Sequence, residues 1–243
     1  MVPTARENFL SNGPRTPFFW QKEKRFRAIT NQLVTPPNHS LIAMISIVAK
    51  AVFPLSVTTS FTCRHMSTSA LPSLPSVLSK ATADLYDQFL DQARVPLDIS
   101  WQSYGNKSHF AGPIVSIKCF EDNSRIKECA ESPGNGRVMV VDAGGSRRCA
   151  VLGDMIAEQA RDNGWRGIIV NGCVRDVAVL RSLENFGVMA LGSLPRKSTR
   201  RGEGQVDLPI RLGNVEVQTG DYVVADDDGL LFLTADQVGQ SDE

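Results

Sequence analysis

Two short apolar runs, Val138–Val141 and Gly167–Val170, constrain the fold of this chain most strongly. Each is a continuous apolar segment of strand length, which predicts a strand that is covered on both faces. Helical patterns follow them at residues 155–162 and 177–185. Because strands alternate with helices, and short strands and turns follow from residue 206 onwards, the sequence predicts one layered α/β domain.

The segments that precede these runs have patterns of the same kind. Residues 76–93 have apolar side chains at helical spacing, which predicts an amphipathic helix. The segment Gly112–Phe120 alternates in the manner of a strand. Residues 123–130 have the pattern of a short helix that Asn123 or Ser124 would cap. We therefore expect the α/β domain to begin near residue 76.

Residues 1–75 differ in composition from residues 76–243. They contain eight Lys and Arg residues, two Glu residues and no Asp, and they are rich in Ser and Thr. This composition is typical of an organelle-targeting leader, and a disordered or untranslated extension is the alternative. We therefore expect a basic N-terminal extension over residues 1–75 and a single folded domain over residues 76–243.

The composition excludes several classes of protein. The folded region has more acidic than basic residues, which argues against direct nucleic-acid binding, since that affinity comes from neutralising phosphates. The apolar run Leu41–Val57 contains Lys50 and Pro54 and is shorter than the roughly 20 residues of a membrane span. The five cysteines form no CxxC pair, and two of the three histidines lie in the leader. Neither a disulfide framework nor a thiolate or multi-histidine metal site is expected.

The first candidate site is Gly153-Asp154-Met155-Ile156, at the start of the helix predicted over residues 155–162. Asp154 stands where a helix N-cap is expected, and the backbone N–H groups of Met155 and Ile156 would then be unpaired. Such N–H groups, together with the helix dipole, bind carboxylates. The motif therefore predicts either an anion-binding helix start or a purely structural cap.

The second candidate site is the pair Arg175-Asp176, which twenty residues separate from Asp154. The pair follows the predicted strand Gly167–Val170, so it lies at the carboxyl end of a strand, where ligands of α/β sheets collect. Arginine offers a planar fork to a carboxylate or enolate oxygen. An aspartate can coordinate a hard cation such as Mg²⁺. A salt bridge with a second helix cap is the structural alternative.

Three further polar segments have simpler interpretations. The loop Gly144-Gly145-Ser146 matches no nucleotide-binding fingerprint, and its glycines permit tight backbone geometry. The basic segment Arg196–Arg201 fits either an anion or partner site or a solvated loop. The acidic segment Asp226–Gly229 lacks the spaced ligands of a calcium loop and predicts a tight turn.

Residues 76–235 resemble the RraA (regulator of ribonuclease activity A) family, which includes the 4-hydroxy-4-methyl-2-oxoglutarate aldolases. The spacing between Asp154 and Arg175-Asp176 is the most specific point of resemblance. The other matching segments are Ala81–Asp87, Lys118–Asn123, Gly136–Val138, Gly153–Glu158, Asn163–Trp165, Gly172–Val177, Gly202–Gly204 and Ala225–Gly229.

The resemblance implies a fold and an activity. The fold would be a layered β/β/α sandwich of the swivelling-domain type, assembled as homotrimers or hexamers. The activity would be that of a divalent-metal-dependent pyruvate aldolase that cleaves 4-hydroxy-4-methyl-2-oxoglutarate, a small 2-oxo acid, and also decarboxylates oxaloacetate. Both reactions leave a pyruvate enolate, whose negative charge a metal ion and a fixed cation can stabilise.

The resemblance also implies roles for the candidate residues. The segment Gly153-Asp154-Met155-Ile156 would bind the pyruvyl carboxylate, and Asp154 would in addition orient a water molecule. Arg175 would bind the keto or enolate oxygen. Asp176 would hold Mg²⁺ or Mn²⁺.

The sequence departs from the family pattern in two respects. Val179 stands three residues after Asp176, where active aldolases of the group often have an acid. Glu203 is a candidate for an acid that a neighbouring subunit would supply. The long leader has no counterpart in compact bacterial members, which indicates the mitochondrial matrix if the leader is real and the cytoplasm otherwise.

An alternative function follows from the same resemblance. Some members of the family inhibit ribonuclease E by binding it, so a non-catalytic regulator of a ribonuclease is the second hypothesis. A demethylmenaquinone methyltransferase is not expected, because the sequence contains no glycine-rich adenosylmethionine loop.

Overall fold

The computed structural model describes residues 71–241 of the chain. The predictions that concern the first 70 residues lie outside this range. Within it, no helix is both long enough and apolar enough to cross a membrane.

The described part of the chain contains eleven strands and five α-helices. The strands are β1 (Gln102–Ser103), β2 (Phe110–Lys118), β3 (Val138–Asp142), β4 (Ala150–Leu152), β5 (Gly167–Val174), β6 (Gly187–Ser193), β7 (Gln205–Val206), β8 (Ile210–Leu212), β9 (Val215–Val217), β10 (Tyr222–Asp226) and β11 (Gly229–Leu233). The helices are α1 (Thr82–Phe89), α2 (Ser124–Glu131), α3 (Asp154–Asp162), α4 (Val177–Leu180) and α5 (Ala235–Gln240).

Nine of these strands form one sheet with the main order β1-β6-β5-β3-β2-β10-β11. Strands β2, β3, β5 and β6 run parallel, whereas β10 and β11 are antiparallel additions at one side. Strand β4 pairs with β5 and strand β7 with β2, and β8 and β9 form a separate hairpin. The parallel strands therefore end at one edge of the sheet, which is where ligands bind in α/β folds.

Side chains of the parallel strands alternate between two cores. In β3, Met139 and Val141 pack on the helix side with apolar residues of α2 and α3. Val138 and Val140 point the other way and pack with residues of the β8–β9 hairpin, β10 and β11. Both faces are buried, which explains the continuous apolar run in the sequence. The resulting order of layers confirms the predicted β/β/α sandwich.

The helix predicted over residues 76–93 is interrupted. A 3₁₀ turn spans Ser76–Ser79, and α1 begins only at Thr82. The carboxylate of Asp226 accepts hydrogen bonds from the Thr82 backbone N–H and from the Thr82 hydroxyl, both at 2.7 Å. Leu90, with φ at 47°, ends α1. The helix start is therefore set by a residue from a distant turn, which a local pattern does not reveal.

Other boundaries also differ from the sequence-based expectation. The short strands expected from residue 206 onwards begin one residue earlier, with β7 at Gln205. The helix predicted over residues 177–185 ends at Leu180. Asn123 precedes α2, but no side-chain cap hydrogen bond comes from it. Strands β1 and β4 were not predicted, because they are too short to show a period. Helix α5 was not predicted either.

Replacing Asp226 with alanine removes both acceptors at the start of α1. We expect Asp226→Ala to lower the free energy of unfolding by about 1–3 kcal/mol, since the hydrogen bonds are made to a charged group. Urea denaturation measures this loss. The matched control is Asp227→Ala, which removes an exposed carboxylate from the same turn and should change stability by no more than about 0.5 kcal/mol. Equal stability of the two variants would contradict this prediction.

Candidate active site

A cleft of about 670 Å³ opens at the carboxyl ends of β4 and β5. One wall is the start of α3 together with Arg175, and the other is the loop that follows β6. The residues that line it are Asn123, Ala150, Leu152, Gly153, Asp154, Met155, Ile156, Arg175, Lys197, Ser198, Thr199, Arg200 and Arg201. The first candidate motif and Arg175 of the second are thus brought together.

Strand β4 sets the relative position of the two motifs. Its residues Ala150 and Leu152 pair with Cys173 and Val174 of β5. The backbone N–H of Arg175 donates to the Leu152 carbonyl at 2.9 Å. Because one residue, Gly153, separates β4 from α3, the start of α3 lies beside Arg175.

Gly153 lies against the Arg175-Asp176 pair. A Cβ atom on Gly153 would lie 2.8 Å from Asp176 Oδ2 and 3.0 Å from Arg175 Nε. The backbone of Gly153 has φ at −142°, which any residue adopts, so the close approach explains the glycine. The contact also places Asp176 next to the start of α3, although Asp176 is not among the residues that line the cleft.

The prediction that Asp154 is the N-cap of the helix is wrong. Gly153 occupies the N-cap position, and Asp154 is the first helical residue. Asp154 Oδ1 accepts a hydrogen bond from the Met155 backbone N–H at 2.7 Å, so one of the two N–H groups expected to be free has a partner. The side chain of Ile156 is buried in the helix-side core, whereas Met155 is 76% exposed. Helix α3 is therefore anchored while its first turn remains open to the cleft.

Arg175 and Asp176 form the ion pair that was the structural alternative for this motif. Arg175 Nε and Asp176 Oδ2 are 3.1 Å apart, and the two side chains are 35% and 36% exposed. An ion pair this exposed contributes little to stability. Among residues 71–241, the Arg175 Nη atoms and Asp176 Oδ1 have no further hydrogen-bond partner. Both side chains can therefore form further hydrogen bonds, for example to a ligand.

Asp176 has a left-handed backbone, with φ at 58° and ψ at 39°. Its carbonyl accepts hydrogen bonds from the backbone N–H groups of Val179 and Leu180, so this residue turns the chain from β5 into α4. Aspartate adopts this conformation more readily than most other non-glycine residues, and Asp98 and Asp207 also have positive φ angles in this structure.

Asp154 and Asp176 are the two carboxylates that the motifs contribute as candidate metal ligands. No cluster of three or more His, Cys, Asp or Glu side chains suited to a metal occurs in the described residues. A Mg²⁺ site needs no such cluster, because the ion is usually held by one or two carboxylates and keeps several waters.

The opposite wall of the cleft depends on Asp122, which the sequence analysis did not single out. Its carboxylate is fully buried and accepts hydrogen bonds from the Ser124 N–H at 2.9 Å, the Thr199 hydroxyl at 3.1 Å and the Arg201 N–H at 2.5 Å. Burial alone would raise the pKa of Asp122, but these hydrogen bonds hold the pKa below its usual range. Asp122 thus ties the loop after β6 to the start of α2.

Three other predicted features lie away from the cleft lining. Gly144 and Gly145 have positive φ angles of 67° and 65°, in agreement with a tight loop. Val179 is half-buried and packs against the helix-side core. Glu203 is exposed and lies in the loop after β6, between Arg201 and the start of β7.

The buried cysteines near the site are poor nucleophiles. Burial raises the pKa of the Cys119 thiol to about 12, and burial also raises the pKa of Cys173. Both thiols therefore remain protonated near neutral pH. They are poor nucleophiles in this state because the thiolate is the reactive form. Thiol chemistry is therefore not a candidate for this cleft.

Comparison with known proteins identifies the family. The family model RraA-like (Aldolase/RraA) matches residues 82–232. This chain belongs to the RraA-like family. It therefore shares a family with both aldolases and regulators of RNA processing, as the names of its relatives show.

Two curated relatives carry the provisional name 4-hydroxy-4-methyl-2-oxoglutarate aldolase. The protein of Pseudomonas fluorescens is 47% identical over 151 residues, which cover 62% of this chain and 91% of the relative. The protein of Alcanivorax borkumensis is 49% identical over 150 residues, which cover 62% of this chain and 93% of the relative. These names support a lyase.

Two solved structures are similar to the described domain. The RNA-processing inhibitor RraA of Thermus thermophilus is 39% identical, with a TM-score of 0.60, and the match covers 63% of this chain and 92% of that one. A protein of Geobacillus kaustophilus described as an S-adenosylmethionine:2-dimethylmenaquinone methyltransferase is 43% identical, with a TM-score of 0.62, and the match covers 66% and 98%. Both likenesses agree with the β/β/α sandwich.

The hydrogen bonds to Asp122 predict a pH dependence of stability. A carboxyl group whose pKa is lowered in the folded state contributes stability above its unfolded pKa, near 3.8, and that contribution is lost as the pH falls through the lowered value. We expect the melting temperature to fall when the pH is lowered below about 4, and to fall less steeply in Asp122→Asn. Thermal melts recorded by circular dichroism between about pH 7 and pH 2 measure both slopes.

The control for this experiment is Asp227→Asn, which changes an exposed carboxylate. Its melting temperature should follow that of the wild type at every pH. Identical acid slopes for Asp122→Asn and the wild type would rule out the anchoring role of Asp122.

Proposed function

We propose that this protein is a divalent-metal-dependent aldolase that cleaves 4-hydroxy-4-methyl-2-oxoglutarate, and that it decarboxylates oxaloacetate through the same pyruvate enolate. The observation that carries the proposal is the meeting of the α3 start with Arg175 and Asp176, where Gly153 allows contact. The relatives that are 47% and 49% identical and are named as aldolases support it.

Both reactions break the bond between C3 and C4 of the substrate. In the aldol cleavage, the C4 hydroxyl would give its proton to the water that Asp154 orients, a carbonyl forms at C4, and the electron pair of the broken bond stays on the pyruvyl half. In the decarboxylation, carbon dioxide leaves and the same electron pair remains. The enolate then takes a proton at C3 to give pyruvate. The site must therefore stabilise one enolate oxygen and deliver one proton.

The residues of the cleft suit these two tasks. The Arg175 guanidinium would bind the keto oxygen and stabilise it as the charge of the enolate develops. The first turn of α3, Gly153–Ile156, would hold the pyruvyl carboxylate through backbone N–H groups and the helix dipole. Asp154 Oδ1 is occupied by the Met155 N–H, which leaves Oδ2 to orient the water that gives the proton.

Asp176 would hold the metal ion, either Mg²⁺ or Mn²⁺, together with water. When bound, the ion would supply Lewis-acid stabilisation of the same negative charge. The donor chemistry fits, since Asp176 Oδ1 has no partner in the described residues. The ion pair with Arg175 orients the carboxylate through its other oxygen, at 3.1 Å.

The test of this proposal is pyruvate release by the purified full chain. We expect turnover of 4-hydroxy-4-methyl-2-oxoglutarate and of oxaloacetate that a chelator abolishes and that Arg175→Ala lowers by about a hundredfold or more, since this side chain stabilises the developing charge. Arg211→Ala, an exposed position on β8, is the matched control and should keep full activity. Chelator-insensitive turnover, or full activity in Arg175→Ala, would refute the proposal.

A second candidate function is the regulation of a ribonuclease by binding. The solved relative named an RNA-processing inhibitor favours it, and Val179 supports it because no acid follows Asp176 at the expected position. A pull-down with ribonuclease E distinguishes the two functions. If the protein is a regulator, the wild type and Asp176→Asn should bind the ribonuclease equally well, and neither should release pyruvate. Absence of binding would eliminate this candidate.

A further inference from the structure

We infer that Arg175 makes the binding of the metal ion depend on the substrate. In the empty cleft, the positive charge of Arg175 weakens the binding of a divalent ion to Asp176. A bound 2-oxo acid removes this penalty by pairing with the guanidinium. The inference rests on the proposed function, because Asp176 would hold the ion and Arg175 the keto oxygen.

The guanidinium and the ion share one carboxylate. Arg175 Nε lies 3.1 Å from Asp176 Oδ2, so a cation that binds the other oxygen, Oδ1, has the guanidinium as its neighbour. Both groups are positively charged, and like charges that are this close repel each other. The two side chains are 35% and 36% exposed, so water and salt screen this repulsion only in part.

The backbone keeps the ion pair in place before a ligand binds. The Arg175 N–H donates to the Leu152 carbonyl at 2.9 Å, and the Asp176 carbonyl accepts two backbone hydrogen bonds from α4. Gly153 lies against both side chains, because a Cβ atom there would be 3.0 Å from Arg175 Nε and 2.8 Å from Asp176 Oδ2. The positive charge is therefore built into the place where the ion would bind.

The other charges of the cleft add to this penalty. Four cationic side chains line the cleft: Arg175, Lys197, Arg200 and Arg201. The three that belong to the loop after β6 form no ion pair within the described part of the chain. Asp154 is the single carboxylate of the lining, and Asp176 beside it makes two. The protein thus presents a divalent ion with more positive than negative charges.

A bound 2-oxo acid changes this balance. Its carboxylate and keto oxygens are acceptors for the Arg175 Nη atoms, which have no partner among residues 71–241. The ligand then offsets the charge of the guanidinium. Linkage requires the effect to be mutual, so the ion strengthens the binding of the acid by the same factor by which the acid strengthens the binding of the ion.

A purely structural role of Arg175 leads to the opposite expectation. If Arg175 acted only by orienting the Asp176 carboxylate, loss of the guanidinium would weaken the binding of the metal ion. If the charge of Arg175 dominates, the same loss strengthens the binding of the ion to the empty cleft. The sign of the change therefore distinguishes the two roles.

The test measures the dissociation constant of Mn²⁺ for the full chain at low ionic strength, with and without saturating pyruvate. The electron paramagnetic resonance signal of free Mn²⁺ gives this constant, corrected for the Mn²⁺ that pyruvate binds in buffer without protein. Pyruvate has the carboxylate and the keto oxygen and, as the product, is not cleaved. We expect pyruvate to tighten the binding of Mn²⁺ to the wild type by about five- to a hundredfold. Calorimetric titration of pyruvate with and without Mn²⁺ should give the same factor.

The variants assign this coupling to the charge of Arg175. Arg175→Gln should bind Mn²⁺ alone about three- to tenfold more tightly than the wild type, and pyruvate should add little. Arg175→Lys keeps a positive charge and should keep the weak binding of the wild type. Arg148→Gln is the matched control, because Arg148 forms a 2.6 Å ion pair with Glu121 outside the cleft lining, and it should change neither value. Thermal melts of each variant show whether the fold is intact.

Three results would overturn the inference: weaker or unchanged binding of Mn²⁺ to Arg175→Gln, an affinity of the wild type for Mn²⁺ that pyruvate does not change, or no binding of Mn²⁺ in the presence of pyruvate. Pyruvate release separates this inference from the proposed function. Chelator-sensitive turnover without a gain of affinity in Arg175→Gln would leave the lyase activity and remove the coupling. Coupling without turnover of either substrate would leave a site for a metal ion and a 2-oxo acid that has no lyase activity.

Discussion

The pairing of the three-residue strand β4 with β5 is the interaction on which the rest of the cleft depends. Through Ala150 it fixes the loop after β6, and through Leu152 it fixes the backbone of Arg175. Through the single residue Gly153 it places the first turn of α3. Both walls of the cleft therefore take their positions from one short strand, and a shift of its register would displace them together.

The two walls differ in how they are stabilised. The α3 wall is anchored by apolar packing, since Ile156 is buried in the helix-side core. The loop wall is anchored by polar contacts to a buried carboxylate, Asp122, and to the backbone of β4. Packing of the first kind is insensitive to pH, whereas the second kind requires an ionised carboxylate. Acid should thus loosen the loop wall before it affects the α3 wall.

The sequence predicted the elements that have a clear period and the residues that directly follow them. The continuous apolar runs of β3 and β5 indicated strands covered on both faces, and the rule for carboxyl ends of strands predicted that Arg175 and Asp176 lie at the ligand-binding edge of the sheet. Features set by tertiary contacts were missed. The start of α1 depends on Asp226, and the loop wall depends on Asp122, and each is distant in sequence from the segment that it holds.

The left-handed backbone of Asp176 limits which residues can replace it during divergence. Asparagine, aspartate and glycine adopt this conformation at low cost, whereas β-branched residues do not. Exchange of the Asp176 carboxylate for an amide should therefore leave the path from β5 into α4 unchanged. The proposed metal ligand can therefore be removed by a single substitution without rebuilding the backbone around it.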